Sequence, residues 1–280
     1  NPYQSIPEVL SRFLKLFPKS AFKTEVESLL IDSYISSNNY KEALLLLTNK
    51  SKPVHKAAYQ KVTFFRALEL YNEANYSESI ALLDSSLTVS LDPIIYARAI
   101  YWSAEVAYQL LNYNMALENF KDFNQLPISG QLEEYTNLNY NIAYTYFKQK
   151  QYENSIKYFK LFINDKPLDV VVLSDAFLRT ADCYFVTAKY SLAIEAYQSA
   201  LDINKIELDY ATFQIAVSNG FLGKTENKIK GLNKVMDYKS SYLKDQALFE
   251  LANSYANQSN PVKAIQKYQE LISSYSSSTL

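Results

Sequence analysis

One pattern returns about every 36 residues along this 280-residue chain, and it limits the possible folds more than any other feature. Residues 99–105, followed by Tyr108, Tyr113, Ala116, Phe120 and Phe123, repeat the spacing of residues 141–143 with Tyr146, Tyr152, Ser155, Phe159 and Phe162. Taking the second aromatic as a mark, copies fall at Tyr40, Tyr76, Tyr113, Tyr152 and Tyr190, and more weakly at Thr225 and Pro261. Nine residues before the mark stand Ile31, Ala67, Ala104, Ala143, Ala181, Ala216 and Ala252. Three after it stand Ala43, Ser79, Ala116, Ser155, Ala193, Lys228 and Ala264; seven after it, Leu47, Leu83, Phe120, Phe159, Tyr197, Leu232 and Tyr268. Two small columns and one large apolar column mean helices that approach closely at fixed points. Within a copy, apolar residues recur at three and four, as at Ala193, Tyr197 and Ala200, which predicts two helices per copy. Short polar turns such as Asn38–Asn39 and Lys148–Gln151 separate them, and Pro53, Pro93, Pro127 and Pro167 mark ends where a helix cannot continue. One helix pair cannot bury its apolar face, so the copies must stack. The expected fold is all-α: an α-α solenoid of about seven helix pairs plus an opening half repeat.

Composition removes the competing classes. Four glycines are too few for doubly wound sheets, phosphate-cradling loops or tight β-hairpins, which need positive φ or close backbone approach. Lys+Arg at 28 nearly cancels Asp+Glu at 29, so there is no general attraction to nucleic acid or anionic lipid. One Cys and one His exclude a disulfide framework and nearly every protein-ligated zinc site. No phosphate-binding, dinucleotide or hydrolase motif is present, so neither a cofactor nor a metal is expected. No apolar run is long enough to make a transmembrane segment.

The small residue of the first helix, the Tyr at the turn, the small residue opening the second helix and the terminal Pro together resemble the tetratricopeptide repeat (TPR) family. Residues 99–105 and 13–20 are similar to bacterial envelope members, such as outer-membrane assembly lipoproteins and Tol–Pal coordination proteins. That resemblance implies a right-handed α-α superhelix and a non-enzymatic scaffold binding another protein or peptide, in a periplasm-facing location, with the cytoplasm as the alternative. Residues 1–280 read as one solenoid domain, a fragment of a longer array: residues 6–18 match only a second helix, and residues 264–275 end on another. A purely structural spacer is a further alternative.

In this family the first helix of each repeat lines the concave surface. Twelve residues before the mark lie Phe64, Tyr101 and Tyr140 in the second to fourth repeats; five before it lie Tyr71, Tyr108 and Phe147. The columns differ by seven and share a helix face. With Tyr144 these residues are the candidate partner surface, although in a Tyr-rich chain they could equally pack between helices. The family's Lys/Asn clamp for a terminal carboxylate does not transfer, because Phe64, Tyr101 and Tyr140 replace Lys, and Leu68, Glu105 and Tyr144 replace Asn. A hydrolase reading would rest on paired carboxylates, Glu133–Glu134 or Asp175 with Asp182. His55 reads as a solvated linker residue, Cys183 as a small core hydrophobe, and the basic run from Lys224 to Lys244 as a solvated face. In the sixth repeat Lys228 takes a close-packing position beside Gly220, Gly223 and Gly231, so this repeat is expected to be irregular.

Overall fold

The computed structural model describes residues 5–47 and 55–279, and among them there are fifteen α-helices and no strand. A first helix, α1 (Ile6–Leu16), precedes three helical hairpins: α2 (Lys23–Ser36) with α3 (Tyr40–Leu47), α4 (Lys56–Asn72) with α5 (Tyr76–Leu87), and α6 (Pro93–Gln109) with α7 (Tyr113–Gln125). Four more follow: α8 (Leu138–Lys148) with α9 (Tyr152–Asn164), α10 (Val170–Val186) with α11 (Tyr190–Ile203), α12 (Leu208–Phe221) with α13 (Thr225–Asp237), and α14 (Lys244–Asn257) with α15 (Pro261–Ser274). The chain divides into two compact units, Asn1–Leu138 and Asn139–Leu280, and two short 3-10 turns, Ser129–Gln131 and Glu133–Asn137, precede α8.

The register mark is the first residue of the second helix in all seven hairpins. Two residues before it, Asn38, Ala74, Leu111, Lys150, Ala188, Gly223 and Ser259 all have positive φ. Each turn is closed by the same pair of backbone bonds. In the third repeat the Asn112 N–H donates to the Ala107 carbonyl at 2.8 Å, and the Leu111 N–H to that of Tyr108 at 3.0 Å. This is the left-handed helix ending that satisfies orphan carbonyls, normally built on Gly. Here only one of the seven is Gly. Glycine poverty therefore excludes sheets and phosphate loops but not left-handed turns, which this chain makes with ordinary residues. The prolines also need correction: Pro93 opens α6 behind its N-cap Asp92 rather than ending a helix, and Pro53 lies outside the described residues.

The three columns form the core. Ala67, Ala104, Ala143, Ala181, Ala216 and Ala252 are wholly buried, as are Leu83, Phe159, Tyr197 and Leu232. Serine in the second column adds a bond that alanine lacks: Ser79 Oγ donates to the Ala67 carbonyl at 2.8 Å and Ser155 Oγ to that of Ala143 at 2.9 Å. The sixth repeat is regular, contrary to expectation, because its substitutions compensate one another. Lys228 keeps its ammonium in an ion pair with Glu250 at 2.6 Å. Its stem lies over Gly220, where an added Cβ would come within 2.7 Å of Lys228 Cδ. Gly231 restores the close helix contact, since its Cβ would meet that of Ala216 at 2.7 Å. His55 is not solvated: it is 5% exposed, and its Nε2 has no hydrogen-bond partner among the described residues. Cys183 is buried beside Ser155, and burial pushes its thiol up to about 12.

Candidate binding faces on the first helices

The seven candidate rings separate by what surrounds them. In the first unit Phe64 is wholly buried with Ala67 and Leu83, beneath the Arg98 guanidinium at 5.2 Å. Tyr101 is also buried, its ring edge-on to Phe120 at 5.5 Å and Phe123 at 5.2 Å. These two rings are core, not surface. Tyr71 on α4 and Tyr108 on α6, at the equivalent position of their repeats, are half-buried. Glu105 lies among the tyrosines; burial first and then its charge raise the hydroxyls of Tyr71 and Tyr101. Tyr108 is pushed up to about 12 by burial, then by Tyr113 and Glu105.

In the second unit Tyr140 and Tyr144 are half-buried and both donate to Asp175 Oδ2, at 2.8 and 2.5 Å. Asp175 Oδ1 accepts from Arg179 Nε at 3.2 Å. The same guanidinium reaches Asp182 at 2.5 Å and Glu207 at 2.7 Å. Asp182 Oδ1 in turn accepts from Tyr197 at 2.6 Å and Tyr210 at 2.8 Å. Burial opposes the charge on Arg179, but Asp182 and Asp175 outweigh it and its pKa rises. The result is a satisfied polar network joining α8, α10, α11 and α12. A buried charge is tolerable when paired and hydrogen-bonded in this way.

Phe147 belongs to a second recurring arrangement. The ring five residues before the mark meets the marked ring edge to face across the turn: Tyr71–Tyr76 and Tyr108–Tyr113 at 5.5 Å, Phe147–Tyr152 at 6.0 Å, and Phe185–Tyr190 at 5.6 Å. In the sixth and seventh repeats both members are replaced together, by Gly220 with Thr225 and Ala256 with Pro261. Edge-to-face pairs contribute about 0.5–1.5 kcal/mol each beyond area burial. Half of the aromatic stripe therefore closes hairpins.

Three of the four carboxylates considered for hydrolysis are committed elsewhere. Glu134 accepts from Arg98 Nε at 2.6 Å and Trp102 Nε1 at 3.2 Å, tying the 3-10 turn to α6. Asp175 and Asp182 are held by Arg179 and four tyrosines. Trp102, Arg179 and Phe221 were not singled out from sequence. Arg179 had a readable signal, an arginine four residues after Asp175 and three before Asp182, which places all three on one helix face.

The tetratricopeptide repeat family model matches residues 138–167 and 246–278, over the hairpins α8–α9 and α14–α15. Over those two hairpins the chain matches tetratricopeptide repeats. Its structure is similar to the C-terminal part of a TPR repeat-containing protein from Cytophaga hutchinsonii, with a TM-score of 0.67, 13% identity, and coverage of 89% of this chain and 95% of that one. It is also similar to MamA from Desulfovibrio magneticus (TM-score 0.54, 17% identity, 64% of this chain and 94% of that one). YrrB, described as a TPR protein with an unusual peptide-binding site, aligns with a TM-score of 0.51 at 16% identity over 63% of this chain and 85% of its own. Comparison with curated proteins finds no sequence match. At these identities the likeness is one of fold.

Proposed function

We propose that the chain is a non-enzymatic scaffold that binds a protein or peptide segment on the first-helix faces of its TPR repeats. The observation that carries this reading is the fixing of two half-buried tyrosines by one carboxylate: Tyr140 and Tyr144 both donate to Asp175. Tyrosine offers large contact area, and anchoring it in advance reduces the ordering cost of association. The engaged state of Glu134, Asp175 and Asp182 speaks against the hydrolase alternative. YrrB's peptide-binding site is a property of YrrB, and supports the reading only as a precedent on the same fold. Bacterial, periplasm-facing placement belongs to the same proposal and rests on residues 13–20 and 99–105; cell fractionation tests it.

The test is affinity capture from the source cell, then titration calorimetry of the captured partner against wild type, Tyr108→Ala and Phe147→Ala. Loss of ~2 kcal/mol of binding in either variant is the size expected of a hot spot. Unchanged affinity in both would remove the first-helix faces from the binding surface.

A further inference from the structure

The second unit has an edge whose charge differs from that of the first unit's turns. Along the hairpin turns of the fourth, fifth and sixth repeats lie Lys148, Lys150, Lys189 and Lys224, all exposed, against the acidic Glu153 and Glu226. Lys189 is paired with Glu153 at 2.6 Å, a bond that joins neighbouring turns, and Glu226 accepts from Gln258 at 2.8 Å. Lys148, Lys150 and Lys224 have no carboxylate partner among the described residues. The turns of the first unit carry no such excess: Glu73 and Glu78 flank the second repeat's turn, and the third repeat's turn, 109–115, has no charge.

Between these lysines the edge is apolar. Val186 is 57% exposed and Phe221 is 60% exposed, although both end apolar first helices. Phe221 lies flat on Tyr190 at 4.6 Å and 8°, and edge-on to Phe185 at 5.9 Å. The loss of the ring at Gly220 ends the row of hairpin-closing pairs, and Phe221, one residue on, covers the preceding repeat's pair with its other face open. An exposed ring rimmed by an excess of positive charge marks an interaction surface.

We propose that this edge docks an extended acidic segment of a partner protein, its apolar side chains on Phe185, Val186 and Phe221 and its carboxylates on Lys148, Lys150 and Lys224. The proposal rests on the scaffold reading and names the partner's chemistry. A bilayer fits the same charge less well, because a flat anionic surface would also press on Glu153 and Glu226, whereas a single chain can thread between them.

The experiment uses the whole 280-residue chain and fluorescence anisotropy with three probes: a labelled twelve-residue peptide alternating Glu pairs with Phe and Leu, the same peptide with Lys for Glu, and phosphatidylserine–phosphatidylcholine vesicles. The acidic peptide should bind and the basic one should not. The triple change Lys148→Glu, Lys150→Glu and Lys224→Glu should weaken the acidic peptide about tenfold or more and admit the basic one, while the three Lys→Arg changes keep wild-type behaviour. Phe221→Ser should weaken binding without altering the circular dichroism spectrum. Equal binding of both peptides, no effect of the triple reversal, or binding to vesicles but not to the acidic peptide would each overturn the proposal. If a captured partner binds the triple variant as well as wild type, the edge is wrong and the scaffold stands. If no partner is captured from the cell and no peptide binds, both fall.

Discussion

Tyr101 and Tyr108 lie seven residues apart on α6 and looked equivalent in sequence, yet their surroundings give them different roles. Tyr101 is packed against Phe120 and Phe123, so Tyr101→Ala removes a buried ring and should cost about 3–5 kcal/mol in urea denaturation. Tyr108 is half-buried against Tyr113, and Tyr108→Ala should cost about 1 kcal/mol. Similar costs for both would mean that Tyr108 is core as well. The tyrosines also set an alkaline limit. Tyr108 and Tyr210 are pushed up to about 12, each by burial first, so the folded state favours their neutral form. Their contribution is whole below the ordinary phenol value of about 10 and is lost as pH rises through about 12. Thermal melts should therefore hold steady up to about pH 10 and fall steeply between 10 and 12. The fall should shrink in Tyr210→Phe, which cannot ionise there.

At the scale of the helical hairpin, the turn between paired helices was visible in sequence as a short polar break, but its backbone was not. A positive φ is usually signalled by Gly, and six of the seven turns carry Asn, Ala, Leu, Lys or Ser instead. Leu111 shows the cost most clearly, an apolar side chain 70% exposed in a left-handed conformation. Leu111→Gly should stabilise the protein by about 0.5–1 kcal/mol, the relief of strain exceeding the added freedom of the unfolded chain. The reverse change, Gly223→Ala, meets no atom within 4 Å, so any loss there is backbone strain alone, about 1 kcal/mol. Urea midpoints for the two variants should move in opposite directions. The three columns were legible because close approach restricts residue size. The tyrosine arms of the network around Arg179 were not, because Tyr at a packing position and Tyr donating to a carboxylate leave the same letter in the sequence. The compensation of Lys228 by Gly220 was hidden for a similar reason: each substitution looked like a defect until both helices were in place.

Across the whole molecule, stability in such an array is approximately a sum of repeat terms and nearest-neighbour interfaces, because each repeat touches chiefly the next. The core is a series of local clusters of this kind: Phe64, Leu83 and Ala99 in one, Phe159, Phe162 and Ala176 in another, Leu232, Val235 and Leu251 in a third. A lesion in one cluster should therefore loosen its surroundings before it loosens the chain, since local opening has its own free energy below that of global unfolding. Tyr101→Ala is the appropriate lesion, being buried between α6 and α7 in the first unit. Hydrogen exchange followed by mass spectrometry at neutral pH should show faster exchange in peptides from α4 to α7. Peptides from α12 to α15 should keep the wild-type rate. The polar network predicts the mirror result: Asp182→Asn breaks the ion pair to Arg179 and should raise exchange in α10 to α12, leaving α4 to α7 unchanged. Uniform acceleration along the chain in either variant would mean that all the repeats unfold as one cooperative body, and would reject the additive description.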